Sequence, residues 1–217
     1  MEKETMLGKL MLALTSVSAE MLGTLLDLAK KLAGEKGEET WKLLKHLLRG
    51  EVQVIKGLLI DWLGTAKTTA TTEKFVAQKK FILKKDGGIC SYFGDNFQSW
   101  FLAGDGKIED PLGEQVLRFG KLTRNSLDGP IIEELGGEAK AETTLTEMFD
   151  QMSKQSNREE GNLLTNGYWN IFYIRDINGV LRAVYVFWDD GGWYVNAFSV
   201  EDPIEWGAGG QVFSRNS

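Results

Sequence analysis

The stretch from Arg175 to Val200, RDINGVLRAVYVFWDDGGWYVNAFSV, constrains the fold more tightly than any other part of the chain. It contains two turn signals, Asn178-Gly179 and Asp189–Gly192, and the residues around them alternate with the two-residue period of a β-strand. An Asn-Gly pair favours a two-residue hairpin turn in which both residues have positive φ angles. The pattern therefore predicts three antiparallel strands joined by tight turns, at residues 168–177, 180–188 and 193–200.

The middle strand of this predicted meander carries apolar side chains on both faces. Val184 and Val186 point to one side, whereas Tyr185 and Phe187 point to the other. Antiparallel sheets commonly leave one face in contact with water. A strand with two apolar faces therefore needs cover on both of them.

Two short helices are predicted ahead of the meander. The segment DGPIIEELGG predicts a helix at 130–136, because proline suits a first helical position and glycine suits a stop. The segment TLTEMFDQM follows with a capping box, Thr144 to Glu147, and predicts a second helix at 145–154. We expect both helices to cover one face of the sheet. Other strands, N-terminal helices or a partner would cover the opposite face.

The N-terminal part of the chain shows helical periodicity. Apolar residues recur at three- and four-residue steps along 7–32, and a second stripe runs from Trp41 to Leu48. A third segment has Leu59 and Trp62 at helical steps, although its beginning, VQVI, would also suit a strand. The segment GTAKTTATTE has no large apolar side chain and predicts a linker. The chain thus divides into a helical module of two or three helices (1–63), a Thr-rich linker (64–73) and a second module (74–217).

The second module has the composition of an α+β domain. All five tyrosines and five of the seven tryptophans follow the predicted linker. The predicted fold is an N-terminal helical module followed by a mainly antiparallel sheet with two short helices packed on it. Besides the meander, strand-like segments separated by turns occur at 75–84, 89–93, 98–102 and 115–122.

The charge balance argues against nucleic acid and anionic membranes as partners. The net charge is −6, and residues 74–217 hold 15 Lys and Arg against 21 Asp and Glu. Either polyanion would require clustered positive charge. No run of 18 apolar residues occurs, so no stable membrane span is expected. A lone cysteine, Cys90, suits a reducing cytoplasm, although LMLALTSVSAE, near Ala19, leaves open an exported protein with a cleaved leader.

The common catalytic and metal-binding motifs are missing. The phrase DGKIE resembles part of an EF-hand loop, but calcium-ligand positions one, three and twelve would fall on Phe101, Ala103 and Leu112. The only histidine, His46, and Cys90 lie in different predicted modules, so a nucleophile–base pair is not expected. We therefore predict no catalytic residues, no metal site and no cofactor.

Several phrases resemble a known group of proteins. DGPIIEELGGEAKAETTLTEMF, NIFYIRDINGVLRAVYV and the ending QVFSRNS resemble a recurrent C-terminal module of uncharacterised proteins from candidate-phylum (Patescibacteria-like) bacteria. KLAGEKGEETWKLLKHLLRGE is similar to a short N-terminal helical module of the same group. The two matches cover most of the chain. The resemblance implies an intracellular bacterial protein made of two reused modules, and it brings no activity or catalytic residue with it.

Aromatic side chains of the second module are the remaining functional candidates. YFGDNFQSWF places five aromatic residues within ten around a turn. Aromatic residues that line a concave sheet, with arginines close by, can bind a peptide or a small ligand, although an ordinary aromatic core uses the same residue types. The predicted ligand or partner surface consists of Tyr92, Phe97, Trp100, Arg175, Arg182, Trp188 and Trp193.

These observations favour a non-enzymatic cytoplasmic protein. It would bind a ligand, a protein or a peptide, or associate with itself through its N-terminal helices. One alternative is an enzyme whose site combines carboxylates, tyrosines and arginines from distant positions. The other alternative is an exported protein that loses its N-terminal leader.

Overall fold

The structure, a computed structural model, describes residues 59–215 of the chain. Within this range ten strands occur, numbered here in chain order, and eight of them form one sheet. The remaining two, β2 and β4, pair with each other. The strands are β1 (Ile60–Thr68), β2 (Phe75–Val76), β3 (Cys90–Phe93), β4 (Ile108–Glu109), β5 (Gln115–Leu122), β6 (Glu142–Thr143), β7 (Asn170–Arg175), β8 (Leu181–Asp189), β9 (Gly192–Ser199) and β10 (Gln211–Arg215).

The main sheet is mixed, and most of its residue pairs are antiparallel. Its strand order is β1-β5-β10-β7-β8-β9-β3, and β6 lies off this path beside β7. The pairs β1/β5, β5/β10, β7/β8 and β8/β9 are antiparallel. The pairs β10/β7, β9/β3 and β6/β7 are parallel. The predicted antiparallel meander is confirmed as β7–β8–β9, but the sheet around it contains parallel pairs that the sequence did not predict.

Alternation along the strands places one set of apolar side chains on each face of the sheet. On what we name the first face, Phe172 of β7 stacks on Phe213 of β10 with ring centroids 4.5 Å apart. The buried strand residues of this face are Ala66, Cys90, Leu117, Phe172, Ile174, Val184, Val186, Trp193, Val195, Ala197 and Phe213. Those of the second face are Ile60, Leu122, Ile171, Tyr173, Leu181, Ala183, Tyr185 and Val212. Both faces are apolar, as the alternation in the meander predicts.

The helices of the described residues pack on both faces of the sheet. Helix α5 covers the first face through Leu145, Met148 and Met152, whereas α3 and α4 cover the second face through Ile131 and Ala141. The prediction that the two sequence-predicted helices share one face is therefore wrong. The helices are α1 (Ala77–Lys80), α2 (Asp95–Phe97), α3 (Asp128–Leu135), α4 (Glu138–Ala141) and α5 (Leu145–Lys154), with a 3₁₀ turn at Lys84–Asp86 and a π-helical turn at Gln98–Leu102 directly after α2.

Helix α5 begins as the sequence predicts. The hydroxyl of Thr144 accepts a hydrogen bond from the backbone N–H of Glu147 at 3.1 Å, and the Glu147 carboxylate accepts one from the N–H of Thr144 at 2.7 Å. The carboxylate of Glu109, from β4, accepts from the N–H groups of Leu145 and Thr146 at 3.0 and 2.8 Å. Two carboxylates and the Thr144 hydroxyl thus satisfy the N–H groups of the first turn, which have no partner within the helix.

The short strand β6 lets the chain cross from one face to the other. β10 pairs with β7 only at Asn170 and Ile171, and β6 takes the rest of the same edge at Tyr173–Ile174. Ala141, just before β6, is buried on the second face, and Leu145, just after it, is buried on the first. The chain therefore passes through the sheet between β10 and β7.

The predicted linker is wrong over its first half. Residues 64–68 belong to β1, the edge strand of the sheet, and Ala66 and Thr68 are fully buried. Small residues make the contact here, so the segment shows none of the large apolar side chains that indicate a strand. The helical steps of Leu59 and Trp62 also fail, because β1 begins at Ile60. The rest of the predicted helical module, residues 1–58, lies outside the described residues, as does the candidate leader.

Two further strand predictions fail and two hold. Residues 75–84 contain the two-residue β2 followed by α1, and residues 98–102 form the π-helical turn. The segments 89–93 and 115–122 are strands β3 and β5. In residues 59–215, no helix is long and apolar enough to cross a lipid bilayer.

The two turns of the meander differ in geometry, and the first does not have the geometry predicted for it. In the β7–β8 turn only Gly179 has a positive φ, of 77°, and its N–H donates to the carbonyl of Asp176 at 3.1 Å. This is a longer loop with a glycine bulge, so the predicted two-residue Asn-Gly turn is wrong. In the β8–β9 turn, Asp190 and Gly191 have φ angles of 46° and 76° between the paired Asp189 and Gly192. That turn is the one in which both central residues have positive φ.

Candidate functional site

Seven aromatic side chains form a continuous surface on the second face of the sheet, which we name the aromatic platform. They come from β8, β9 and β3 and from the segments that precede β7 and β10. Phe187 pairs with Tyr194 across β8 and β9, and Tyr194 pairs with Tyr92 across β9 and β3. Directly opposed residues share a face, so their rings lie side by side. The platform consists of Tyr92, Trp169, Tyr185, Phe187, Tyr194, Phe198 and Trp206.

One end of the platform is formed by Tyr92, Phe187 and Tyr194. The ring of Tyr194 stacks on that of Phe187 at a centroid distance of 4.5 Å and on that of Tyr92 at 5.1 Å. Such separations are typical of favourable aromatic pairs. Tyr92 is 50% exposed, and the other two side chains are half-buried. Three rings at the edge of the sheet are therefore open to contact from outside.

The other end of the platform is built around Tyr185. Its ring centroid lies 5.1 Å from that of Phe198 and 5.4 Å from that of Trp206, and Trp206 lies 5.4 Å from Trp169. Tyr185 and Trp206 are buried, whereas Phe198 and Trp169 are half-buried. This end is a packed base that continues into the core of the second face.

A buried carboxyl group supports the packed end. Oδ1 of Asp128, in the first turn of α3, accepts hydrogen bonds from Tyr173 Oη and from Trp206 Nε1, both at 2.7 Å. Burial raises the pKa of Asp128 to about 6, although these two hydrogen bonds oppose the shift. The same burial, together with the Asp128 charge, raises the pKa of Tyr173 well above its usual range. The hydrogen-bonded pair of Asp128 and Tyr173 orients the side chain of Trp206, which is one ring of the platform.

Asn196 connects α2, which follows the edge strand β3, to strands β8 and β9. Its Oδ1 accepts from the backbone N–H of Phe97 at 3.3 Å, and its Nδ2 lies 3.4 Å from the hydroxyl of Tyr185. The side chain fits only because residue 94 is glycine, since a Cβ at Gly94 would lie 2.0 Å from Asn196 Cγ. Asn196 thereby holds the segment after β3 against β9, which positions Tyr92.

A shallow depression of about 320 Å³ opens beside the exposed end of the platform. It is lined by Ser91, Tyr92, Asp189, Asp190 and Tyr194. The hydroxyl of a tyrosine is protonated at neutral pH, and burial raises the pKa of Tyr194 further. The depression thus combines two aromatic rings, a neutral phenol and two carboxylates.

The sequence-predicted aromatic surface residues do not form one site. Phe97 and Trp193 are fully buried in the first-face core, and Trp193 Nε1 donates to the carbonyl of Met152 at 3.1 Å. Trp100 and Trp188 are half-buried and also pack against the first-face core. Of the aromatic residues predicted for a ligand surface, only Tyr92 belongs to the platform.

The two predicted arginines lie at the opposite end of the strands and are engaged there. Nε of Arg182 contacts Oδ2 of Asp176 at 2.9 Å, and its guanidinium lies 3.9 Å from the ring centroid of Trp100. Arg175 forms ion pairs with Glu142 at 2.9 Å and Glu138 at 3.2 Å. From Arg182 to Trp188 along β8 the distance is about 20 Å at the usual rise of a strand. The structure therefore does not bring these arginines to Tyr92.

Sequence reasoning overlooked most of the platform. Tyr185, Phe187, Tyr194 and Phe198 lie on the strands that the sequence predicted, and strict alternation across the turn assigns them to one face. The alternation of side chains along β8 and β9 is the sequence feature that indicates this shared face. It also places Trp188 and Trp193 on the other face. Trp169 and Trp206 join the platform from outside the meander, and nothing local in the sequence indicates that.

Neither an accessible thiol nor a cluster of metal ligands occurs among the described residues. Cys90 is fully buried, and desolvation raises the pKa of its thiol to about 12, so it is not a nucleophile in the folded protein. Within 59–215, no three His, Cys, Asp or Glu side chains converge to hold a metal ion. The platform and its depression can stack with flat groups, contact apolar groups and attract positive charge.

No protein-family model matches the chain, and neither a curated protein nor a solved structure shows significant similarity to it. The resemblance to a Patescibacteria-like pair of modules therefore stays a sequence-based prediction. The case for a function depends on the geometry of the platform.

Proposed function

We propose that this protein is a non-enzymatic binding protein whose contact surface is the aromatic platform. The observation that carries the proposal is the row of open rings from Phe187 through Tyr194 to Tyr92 on the second face of the sheet. Contiguous apolar patches on a protein surface mark sites of interaction more often than chance exposure does. The exposed end of the platform, formed by Tyr92, Phe187 and Tyr194, is such a patch, and contacts between the rings fix it.

The shape of the surface favours an extended peptide as the partner. A drug-sized ligand generally occupies a concave pocket that buries most of its surface. The platform instead runs across three strands, and the depression beside it is shallow. Extended peptides dock on open surfaces of this kind, with alternate side chains in shallow pockets.

The location and assembly of the protein belong to the same proposal. Cys90 is the only cysteine, and its burial as a free thiol is compatible with a reducing compartment. We accordingly propose a cytoplasmic protein that binds a peptide or protein partner. Self-association through residues 1–58 is the alternative use of the apolar stripes in that part of the chain.

Selection of random peptides displayed on phage against the full-length protein tests the proposal. Affinities of the enriched peptides are then measured for Tyr194→Ala and for Trp188→Ala, the matched aromatic control on the first face of the same hairpin. We expect the dissociation constant to rise about tenfold or more for Tyr194→Ala, since one buried stacking contact is worth about 1.4 kcal/mol. It should change less than about threefold for Trp188→Ala, a difference within the scatter of surface substitutions.

Two outcomes would contradict the proposal. One is that no peptide is enriched over the heat-denatured protein. The other is that enriched peptides bind wild type and Tyr194→Ala equally well. Circular dichroism and thermal melting of both variants separate loss of binding from loss of folding.

A further inference from the structure

The exposed end of the platform carries two carboxylates that form no ion pair with the described residues. Asp189 and Asp190 line the depression with Tyr92 and Tyr194. In the range 59–215, neither carboxylate accepts a hydrogen bond or forms an ion pair. We propose that this depression binds the ammonium or guanidinium group of a lysine or arginine side chain in an extended peptide, an inference that rests on the function proposed above.

Two kinds of attraction would act together on such a cation. A positive group over the face of a tyrosine ring is attracted by the negative electrostatic potential of the ring. Carboxylates at the rim add Coulomb attraction and accept hydrogen bonds from ammonium or guanidinium N–H groups. Asp95, at the start of α2, contributes further negative charge near Tyr194. The site therefore favours a cation over a neutral or anionic group of the same size.

The chain segments that build this surface carry only acidic charge. Residues 183–206 contain five carboxylates and no Lys or Arg, and residues 90–106 contain two carboxylates and no Lys or Arg. Lys84 and Lys85 are the nearest basic residues and line a neighbouring depression with Asp190. Nζ of Lys84 donates to the Gly191 carbonyl at 2.5 Å and lies 5.7 Å from the Trp188 ring centroid, on the first face. A basic peptide would complement this distribution.

Elsewhere in the molecule an aromatic ring, a carboxylate and a cation from the chain itself lie together. At the β7–β8 end, the guanidinium of Arg182 lies 3.9 Å from the ring centroid of Trp100 and 2.9 Å from a carboxylate oxygen of Asp176. Aromatic ring, cation and carboxylate are all supplied by the chain there. At the β8–β9 end, Tyr194 and Asp189 supply the ring and the carboxylate. In the proposed complex, the lysine or arginine side chain of the peptide supplies the cation.

An unpaired hydroxyl lies at the same place. Oγ of Ser91 is buried and has no hydrogen-bond partner among the described residues. Ser91 lines both depressions, including the neighbouring one of about 370 Å³. A buried hydroxyl without a partner is costly to maintain. A peptide N–H or a side-chain ammonium group in the depression would give it a partner once the Ser91 side chain rotates towards the depression.

Binding of synthetic peptides to the full-length protein tests the inference. The probes are fluorescein-labelled peptides on one Gly-Ser-Phe framework that differ only in carrying lysine, glutamine or glutamate at the same positions. We expect the lysine peptide to bind about tenfold or more tightly than the glutamine peptide, and the glutamate peptide to bind most weakly. Fluorescence anisotropy in low and in high salt measures each affinity, and high salt should weaken the lysine peptide selectively.

Charge-removing variants locate the effect. The double variant Asp189→Asn/Asp190→Asn should reduce the preference for lysine over glutamine to about threefold or less, because only the aromatic attraction remains. Asp110→Asn is the control and should retain the preference, because this exposed aspartate, 3.0 Å from Lys74, follows β4 and does not line the depression. Tyr194→Ala should weaken both peptides and the lysine peptide more, because that peptide loses the cation–π attraction in addition to the apolar contact.

The outcomes separate this inference from the proposed function. If lysine and glutamine peptides bind equally and both lose affinity to Tyr194→Ala, the cation inference is overturned and the platform remains a binding surface. Suppose instead that none of the three peptides binds, but phage selection yields platform-dependent peptides without basic residues. The cation inference is then also overturned, and the platform remains a binding surface. If neither experiment yields a binding peptide, both proposals are overturned. That outcome is expected if a second copy or another part of this chain covers the platform.

Discussion

The two faces of the sheet use aromatic residues in different ways, although the same strands supply both. On the first face, Phe172, Trp193 and Phe213 have no exposed surface. On the second face, Phe187 and Tyr194 of the same β8–β9 hairpin remain half-buried. Aromatic composition therefore does not decide which face is core. The difference lies in what covers each face.

The crossing at β6 determines that cover. Before it, α3 and α4 pack on the second face around Ile131, at the β5–β10–β7 part of the sheet. After it, α5 packs on the first face, where Phe97 and Phe101 of the α2 and π-helical segment also lie. The first face is thus closed by several elements. On the second face, α3 and α4 cover one end of the sheet, and the platform forms the other end.

Truncating one phenylalanine on each face gives the largest expected contrast. Phe172→Ala removes a fully buried ring that stacks at 4.5 Å on Phe213 and should lower the free energy of unfolding by about 3–5 kcal/mol. Phe187→Ala removes a half-buried ring and should cost about 1–2 kcal/mol, because less apolar area leaves water on folding there. Urea denaturation followed by tryptophan fluorescence measures both.

If both truncations lowered the free energy of unfolding by the same amount, Phe187 would be packed as tightly as Phe172. The two faces would then not differ in how they use aromatic residues. Phe172→Leu provides a milder probe if the alanine variant does not fold. It should still cost more than Phe187→Leu, because a fully buried ring leaves a cavity that its neighbours cannot fill.

The meander could be predicted from sequence because its signals are local. Alternation of Val184 and Val186 with Tyr185 and Phe187, punctuated by glycine turns, specifies strands and faces together. The capping box of α5 is equally local. Burial on both faces could be inferred because neither set of side chains is polar.

The rest of the fold depends on contacts that local patterns do not encode. Local patterns do not indicate β1 over residues 64–68, because the small side chains of Ala66 and Thr68 make the buried contacts there. The parallel pairing of β10 with β7 joins Val212 to Ile171, which are far apart in the chain. The helices were assigned to one face because a two-residue strand that passes through a sheet has no sequence signature.

The candidate site was only partly predictable for a related reason. Tyr92 was identified from its aromatic neighbourhood, but Phe97 and Trp193 were included on residue type alone, and both are core. The alternation of side chains along β9 separates Trp193 from Tyr194, whereas Phe97 lies in α2, where no strand alternation applies. Trp169 and Trp206 reach the platform only through the tertiary fold.

The pH dependence of stability tests whether the base of the second face is a closed core. Asp128 is buried, and its pKa of about 6 in the folded protein exceeds its ordinary value of 3.8. The folded state therefore binds this proton more tightly, so the contribution of Asp128 is full below about pH 4 and is lost as the pH rises to about 6. A shift of this size corresponds to about 3 kcal/mol.

Asp128→Asn isolates that contribution. The amide oxygen can accept from Tyr173 and Trp206 as the carboxyl does, but it carries no charge at any pH. The free energy of unfolding of the variant relative to wild type should therefore increase by about 3 kcal/mol between pH 4 and pH 7. Urea denaturation across this range measures it. A difference that does not change with pH would show that water reaches Asp128 and that the second face is open there as well.

The smallest effect is expected at the β8–β9 turn, beside the platform. Asp190 has a φ of 46°, a conformation in which asparagine is more favourable than aspartate. Asp190→Asn should therefore raise the free energy of unfolding by about 0.5 kcal/mol, near the upper limit for surface substitutions. Thermal denaturation measures it, with Asp110→Asn as the control for removing one exposed charge.

The sign of that small change bears on why an aspartate occupies the turn. A residue that is suboptimal for its backbone conformation is expected where function depends on it, because stability is lost at such positions in exchange for activity. A more stable Asp190→Asn that binds the lysine peptide more weakly would place this carboxylate among the residues kept for binding. A less stable variant would instead show that the carboxylate supports the turn itself, and the cation site would then depend on Asp189 and the two tyrosines.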